Sequence, residues 1–154
     1  MASPTRLNNR KGGGQGFTFI ELLVVVAIIT LLTAAAEPSY RTFVTQIETQ
    51  NTSTVYVQML RRAGALAQAG NGDSPWGVVL GTSSITLFKG TTFITRDSMY
   101  DETYIPNIRI AVSGLTEIDF ATTTGLPNKF GTTTISSGPQ TATITINAKG
   151  IVTY

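Results

Sequence analysis

Gly16-Phe17-Thr18-Phe19-Ile20-Glu21-Leu22-Leu23-Val24-Val25-Val26-Ala27-Ile28-Ile29 sets one carboxylate, Glu21, inside an apolar run that extends from Phe17 to Ala36. No other charge stands between Glu21 and Glu37. The run is 20 residues long, enough to span a hydrocarbon core as a helix rising ~1.5 Å per residue. An acid there is costly in lipid and reads as functional. Burying its twelve large apolar side chains at ~1.5–3 kcal/mol each is worth tens of kcal/mol. The segment must therefore lie in lipid or pack against copies of itself.

Arg6, Arg10 and Lys11 precede Gly16, and no acid does. The rest of the chain sets eight basic residues against nine acidic ones, so the net charge of +2 reports the leader. These cations should stay cytoplasmic and leave the C-terminal part outside; they do not imply a nucleic-acid partner. With 154 residues, one modest globular domain fits beyond the apolar run. Cysteine and histidine are both absent. Their absence removes disulfides, thiol nucleophiles and thiolate metal sites, together with the commonest general base and metal ligand. No Ser-His-Asp, Cys-His or paired-carboxylate constellation can be assembled, so neither an enzyme nor a cofactor is expected.

The apolar run admits three readings. One is a plain signal anchor. Another is an ordinary secretory signal peptide, with Leu22–Thr33 as its apolar region and Ala34-Ala35-Ala36 as an A-x-A-like cleavage site. That would release a secreted β-rich binding protein beginning at Glu37. The basic region would then be unusually long, and Glu21 would border the apolar region without purpose. The third reading comes from resemblance: Gly16–Tyr40 resembles the start of type IV prepilins and type II secretion pseudopilins. The resemblance implies cleavage between Gly16 and Phe17 by a prepilin peptidase, N-methylation of Phe17, an assembly role for Glu21 and a helix bend at Pro38. Glu37, where the family commonly has an apolar residue, is a departure. The implied partners are that peptidase, other pilin or pseudopilin subunits, an inner-membrane assembly platform and membrane lipid. The implied location is a single-pass membrane helix with its head outside, later an extracytoplasmic filament. Helical geometry supports the role of Glu21. It lies ~6 Å along the axis from the amine that cleavage creates on Phe17, on the same helix face. A neighbouring helix displaced along the axis brings its own amine to Glu21, and a misplaced subunit leaves a buried charge unpaired.

The spacing predicts four segments: a basic leader at 1–16, the apolar helix at 17–36, an amphipathic continuation at 37–70 and a β-rich head at 71–154. Phe43, Ile47, Val55, Met59, Ala63 and Ala67 form a stripe, widened by Val44, Leu60 and Leu66. Pro38 cannot donate its backbone hydrogen bond, and Gly70-Asn71-Gly72-Asp73-Ser74-Pro75 ends the pattern. Beyond it, Trp76–Leu80 with Ile85–Phe88 and Ile108–Val112 with Leu115–Phe120 read as hairpins. Ala142, Ile144 and Ile146 alternate before a turn at Asn147–Gly150. The fold class is α+β: a long helix whose C-terminal half packs on a small antiparallel sheet, which is also the pilin-like fold the resemblance implies. Arg61-Arg62-Ala63 through Trp76-Gly77-Val78, with Ile146–Val152, loosely resembles minor pseudopilins of the H type. Asp97, Asp101 and Glu102 are weighed as a calcium cluster and read instead as a solvated loop. Arg61 and Arg62 are weighed as a DNA contact of an uptake filament and read as a solvated helix face. Trp76 reads as a core anchor, and the sequon Asn51-Thr52-Ser53 falls within the helix.

Overall fold

The computed structural model describes residues 16–154, the side chains of 35–39 excepted. The expected leader, up to residue 15, and the side chain of Pro38 lie outside the described residues. The architecture is α+β, as the sequence predicts: helix α1 (Phe19–Gln68), a 3-10 turn (Asn71–Asp73), then eight strands. The backbone of residues 35–39 is helical. The chain divides into two compact units, Met1–Ser39 and Tyr40–Tyr154.

In the first unit, every large apolar side chain from Phe17 to Leu32 is exposed. The threonines here satisfy their own hydroxyls. Thr30 Oγ1 donates to Val26 O at 2.6 Å and Thr33 Oγ1 to Ile29 O at 2.9 Å. The helix thus shows no free hydroxyl at these positions to an apolar surround.

The second unit holds the rest of α1 and two four-stranded antiparallel sheets. The strands are β1 (Trp76–Leu80), β2 (Ile85–Lys89), β3 (Asp97–Tyr104), β4 (Ala111–Gly114), β5 (Glu117–Phe120), β6 (Gly131–Ser137), β7 (Gln140–Ile146) and β8 (Val152–Thr153). Their orders are β3-β2-β1-β5 and β4-β6-β7-β8. One core draws on all three layers: Tyr56, Val57, Leu60, Ala63 and Ala67 from α1; Val78, Leu80, Ile85, Leu87, Ile118 and Phe120 from the first sheet; Ile135, Ile144, Ile146 and Val152 from the second. The alternation of β7 aims one face of that strand inward, whereas β1, inside its sheet, is buried at four of its five positions. Gly70, at φ 64, closes the C-terminus of α1. The amides of Gly70 and Thr123 both donate to Ala67 O, at 3.0 and 2.8 Å.

Four expectations need correction. The head contains two sheets, not one. The β1–β2 hairpin forms, with Leu80 opposite Ile85, but the second hairpin does not: β4 pairs with β6, whereas β5 pairs with β1. Ser113-Gly114 looks like a tight turn, yet Gly114 serves a close backbone approach. At φ +88, a Cβ there would lie 2.1 Å from Thr132 O. Leu115 and Thr116 then carry the chain from one sheet to the other. The third correction concerns the helix stripe. Leu60, Ala63 and Ala67 are buried, but Phe43 and Ile47 are exposed. The buried face one turn further on is made instead by Thr49, Thr52, Ser53 and Tyr56. The hydroxyls of Thr49, Thr52 and Ser53 return to the backbone of Thr45, Glu48 and Gln50, which lets polar residues sit on an inward face.

The acidic segment read as a loop is strand β3. It lies at a sheet edge and is irregular: Leu87 opposes Glu102 while Lys89 opposes Asp97, so Ser98–Asp101 bulge opposite Phe88 alone. The segment between β2 and β3 folds back over the outer face of the sheet. The Phe93 ring meets Phe88 edge-on at 5.7 Å, its amide donates to Glu117 Oε1 at 3.0 Å, and the Arg96 guanidinium stacks 3.7 Å above it.

Candidate processing and assembly site

The N-terminus of α1 is built by Thr18. Its side-chain oxygen accepts the amide of Glu21 at 3.3 Å, and its carbonyl accepts the amide of Leu22 at 3.2 Å. Thr18 is therefore the N-cap and Glu21 the third helical residue, the T-x-x-E spacing of a capping box. Thr18 joins the expected residues of this end, and its T-x-x-E spacing to Glu21 is the sequence signal for it. Glu21 is the acid of the first turn, where the helix dipole favours a negative charge. The position thus eases the cost of a carboxylate in an apolar run.

Gly16, Phe17, Thr18 and Glu21 line one open concavity of ≈ 460 Å³. The three expected site residues of this end, Gly16, Phe17 and Glu21, are brought together there. Nothing lies within 4 Å of where a Cβ on Gly16 would stand. Among the described residues nothing crowds a side chain at that position. Phe17 is 84% exposed, so the bond between Gly16 and Phe17 is followed by an open side chain. Among the described residues no helix is long and apolar enough to cross a membrane.

The candidate sites of the head are engaged internally. Arg62 pairs with Glu102 at 2.6 Å, both side chains about half exposed. Arg61 reaches Val152 O at 3.4 Å. The two arginines thus turn to different partners. Asp101 accepts the Arg96 guanidinium at 2.7 Å, and Asp97 Oδ1 accepts the Met99 amide at 3.2 Å. The three carboxylates weighed for calcium are committed to cations or to backbone. Trp76 is buried and donates to Asn71 O at 2.9 Å, which ties the 3-10 turn to β1 as a core anchor does. Thr52 of the sequon is fully buried.

Residues 14–36 match a family model described as the prokaryotic N-terminal methylation motif, the signature of type IV prepilins and pseudopilins. The matched residues contain Gly16, Phe17, Thr18 and Glu21 and end at Ala36. No curated protein matches the chain, and neither does any solved structure. The motif implies processing by prepilin peptidase and assembly with other pilin-like subunits.

Proposed function

We propose that the chain is a structural subunit, without catalysis of its own, of a type IV pilus or type II secretion-like filament, present as a minor component. The methylation motif over residues 14–36 carries this reading. Cleavage between Gly16 and Phe17 removes the leader and creates an amine, which is then methylated. Residues 17–36 hold the subunit in the membrane as a single span, with the head outside. The 20-residue apolar run supports that placement. An assembly platform then transfers the helix from lipid into a bundle of like helices. There Glu21 meets the amine of a neighbour and sets the register, because a misplaced subunit strands a charge in an apolar core. Pro38 lacks the amide that a straight helix would use and is the proposed bend.

Mass spectrometry of the mature protein tests this directly. A chain beginning at N-methylated Phe17 is the expected result. A chain beginning at Glu37 would establish the signal-peptide route instead. Glu21→Ala should leave cleavage intact and sharply lower incorporation into filaments, and normal incorporation would refute the pairing role.

A further inference from the structure

Where the last turns of α1 meet two connections of the head, a cleft of ≈ 290 Å³ opens. Gly64 of α1, Gly125 between β5 and β6, and Gly150 between β7 and β8 all line it. A Cβ on Gly125, at φ +63, would lie 3.0 Å from Gly64 O, so only glycine lets this connection close on the helix. Both connections are fixed by their own hydrogen bonds. Asn147 Oδ1 accepts the amides of Lys149 and Ile151 at 2.9 and 3.0 Å, and the Gly125 amide donates to Ala121 O at 2.9 Å.

The polar side chains around the cleft all carry donors. Arg61 and Gln68 reach it from α1, and Thr124 and Lys149 from the two connections. Arg61 uses one N–H on Val152 O, at a long 3.4 Å, which leaves most of its guanidinium unengaged. Among the described residues neither Arg61 nor Lys149 has a carboxylate partner, and no acid lines the cleft. The acids nearby in the fold are engaged elsewhere: Asp101 and Glu102 with arginines, Asp119 with Asn128 and Glu117 with the Phe93 amide.

We propose that this cleft binds a small anionic molecule through one oxyanion group, a carboxylate or a phosphate, held between Arg61 and Lys149. The site lies wholly in the head and goes beyond the filament reading. The arginine fork offers two parallel donors to such a group and the lysine a point charge. Gln68 and Thr124 have donors for the remaining lone pairs. The volume stands at the lower end of small-molecule sites, which begin near ~300 Å³. Duplex DNA is the rival ligand, but it calls for a stripe of cations that follows its phosphates. Arg62, the next residue, is instead paired with Glu102 at 2.6 Å, so the free charge stays within one concavity.

The test uses the full chain, isotopically labelled and held in a non-ionic detergent, titrated at constant ionic strength with inorganic phosphate and, separately, with succinate. The amide resonances of Gly64, Gly125 and Gly150 should shift and saturate, with a Kd on the order of 0.1–1 mM. Saturation by phosphate alone assigns a phosphoryl ligand and by succinate alone a carboxylate ligand; saturation by both supports the oxyanion clamp itself. No saturable shift with either anion, or shifts confined to other parts of the head, would overturn the inference. Lys149→Gln removes no side-chain hydrogen bond among the described residues and should weaken binding roughly tenfold. Ala65 is exposed and lines the cleft, so Ala65→Glu should place a competing carboxylate there and abolish binding. Both variants should keep the melting temperature of the parent. Parental affinity in either would refute the site. A short DNA duplex that displaces phosphate, with a steep salt dependence, would replace the small molecule with nucleic acid and overturn the proposal.

Discussion

Tyr56 is the largest side chain fully buried in the head, and its hydroxyl has no hydrogen-bond partner. Thr133 is close enough to pull its pKa slightly down, but the Thr133 hydroxyl is itself committed to Leu115 O at 2.6 Å. Burial outweighs that pull and pushes the Tyr56 phenol up to about 12, against an ordinary value of 10.0. The neutral form is the one the fold favours. The associated stability is present below pH ~10 and is lost as the pH rises from there towards ~12, by roughly 2–3 kcal/mol. Denaturant titrations of the head should show that decline, and Tyr56→Phe should flatten it relative to the parent. At neutral pH the same variant should be neutral or stabilising by up to ~1 kcal/mol, since it deletes an unpartnered polar atom. Gly77 carries the opposite constraint. A Cβ there would meet Phe88 Cζ at 2.5 Å and Ile118 O at 3.0 Å, so Gly77→Ala should cost about 1–3 kcal/mol through overpacking, read as a lower denaturation midpoint.

Among the elements, α1 and β4 make contrasting tests. Gly64 lies inside α1, and a Cβ there would touch only the Phe120 ring at an ordinary 3.5 Å. Gly64→Ala should therefore raise stability by about 0.5–1 kcal/mol through helix propensity alone. Gly114→Ala should lower it by about 2 kcal/mol or more, because the left-handed backbone and the Thr132 carbonyl both exclude a side chain. These positions also show what could be read without coordinates. The apolar run and its Glu21 were legible, because a single acid in a 20-residue apolar run is conspicuous whatever the structure. So were the end of α1 and the β1–β2 hairpin, marked by dense turn residues. The face that α1 buries was legible only in its second half. A search for apolar periodicity selects Phe43 and Ile47 and passes over Thr49, Thr52 and Ser53, whose hydroxyls are satisfied within the helix. Strand β3 carries no alternation because most of its residues are exposed at the edge. Gly114 imitates a turn residue, since turns and close backbone approaches both favour glycine at positive φ.

For the molecule as a whole, every buried core residue lies in the unit Tyr40–Tyr154. A fragment beginning at Tyr40 should therefore melt within a few degrees of the full chain in the same detergent, about the shift that a change under 1 kcal/mol produces. A much lower transition would mean that the preceding helix is part of the folding unit. The edge of the first sheet has its consequence at this scale. Subunits held side by side in a polymer face one another at millimolar effective concentrations. Open strands would then invite sheet-to-sheet fusion, a common route to amyloid-like deposits. The four-residue bulge of β3 breaks one such ladder, and β8, only two residues long, offers little of another. In the filament proposed above, a head with these blunted margins would be crowded on the surface and still separate as an intact monomer when the fibre is taken apart.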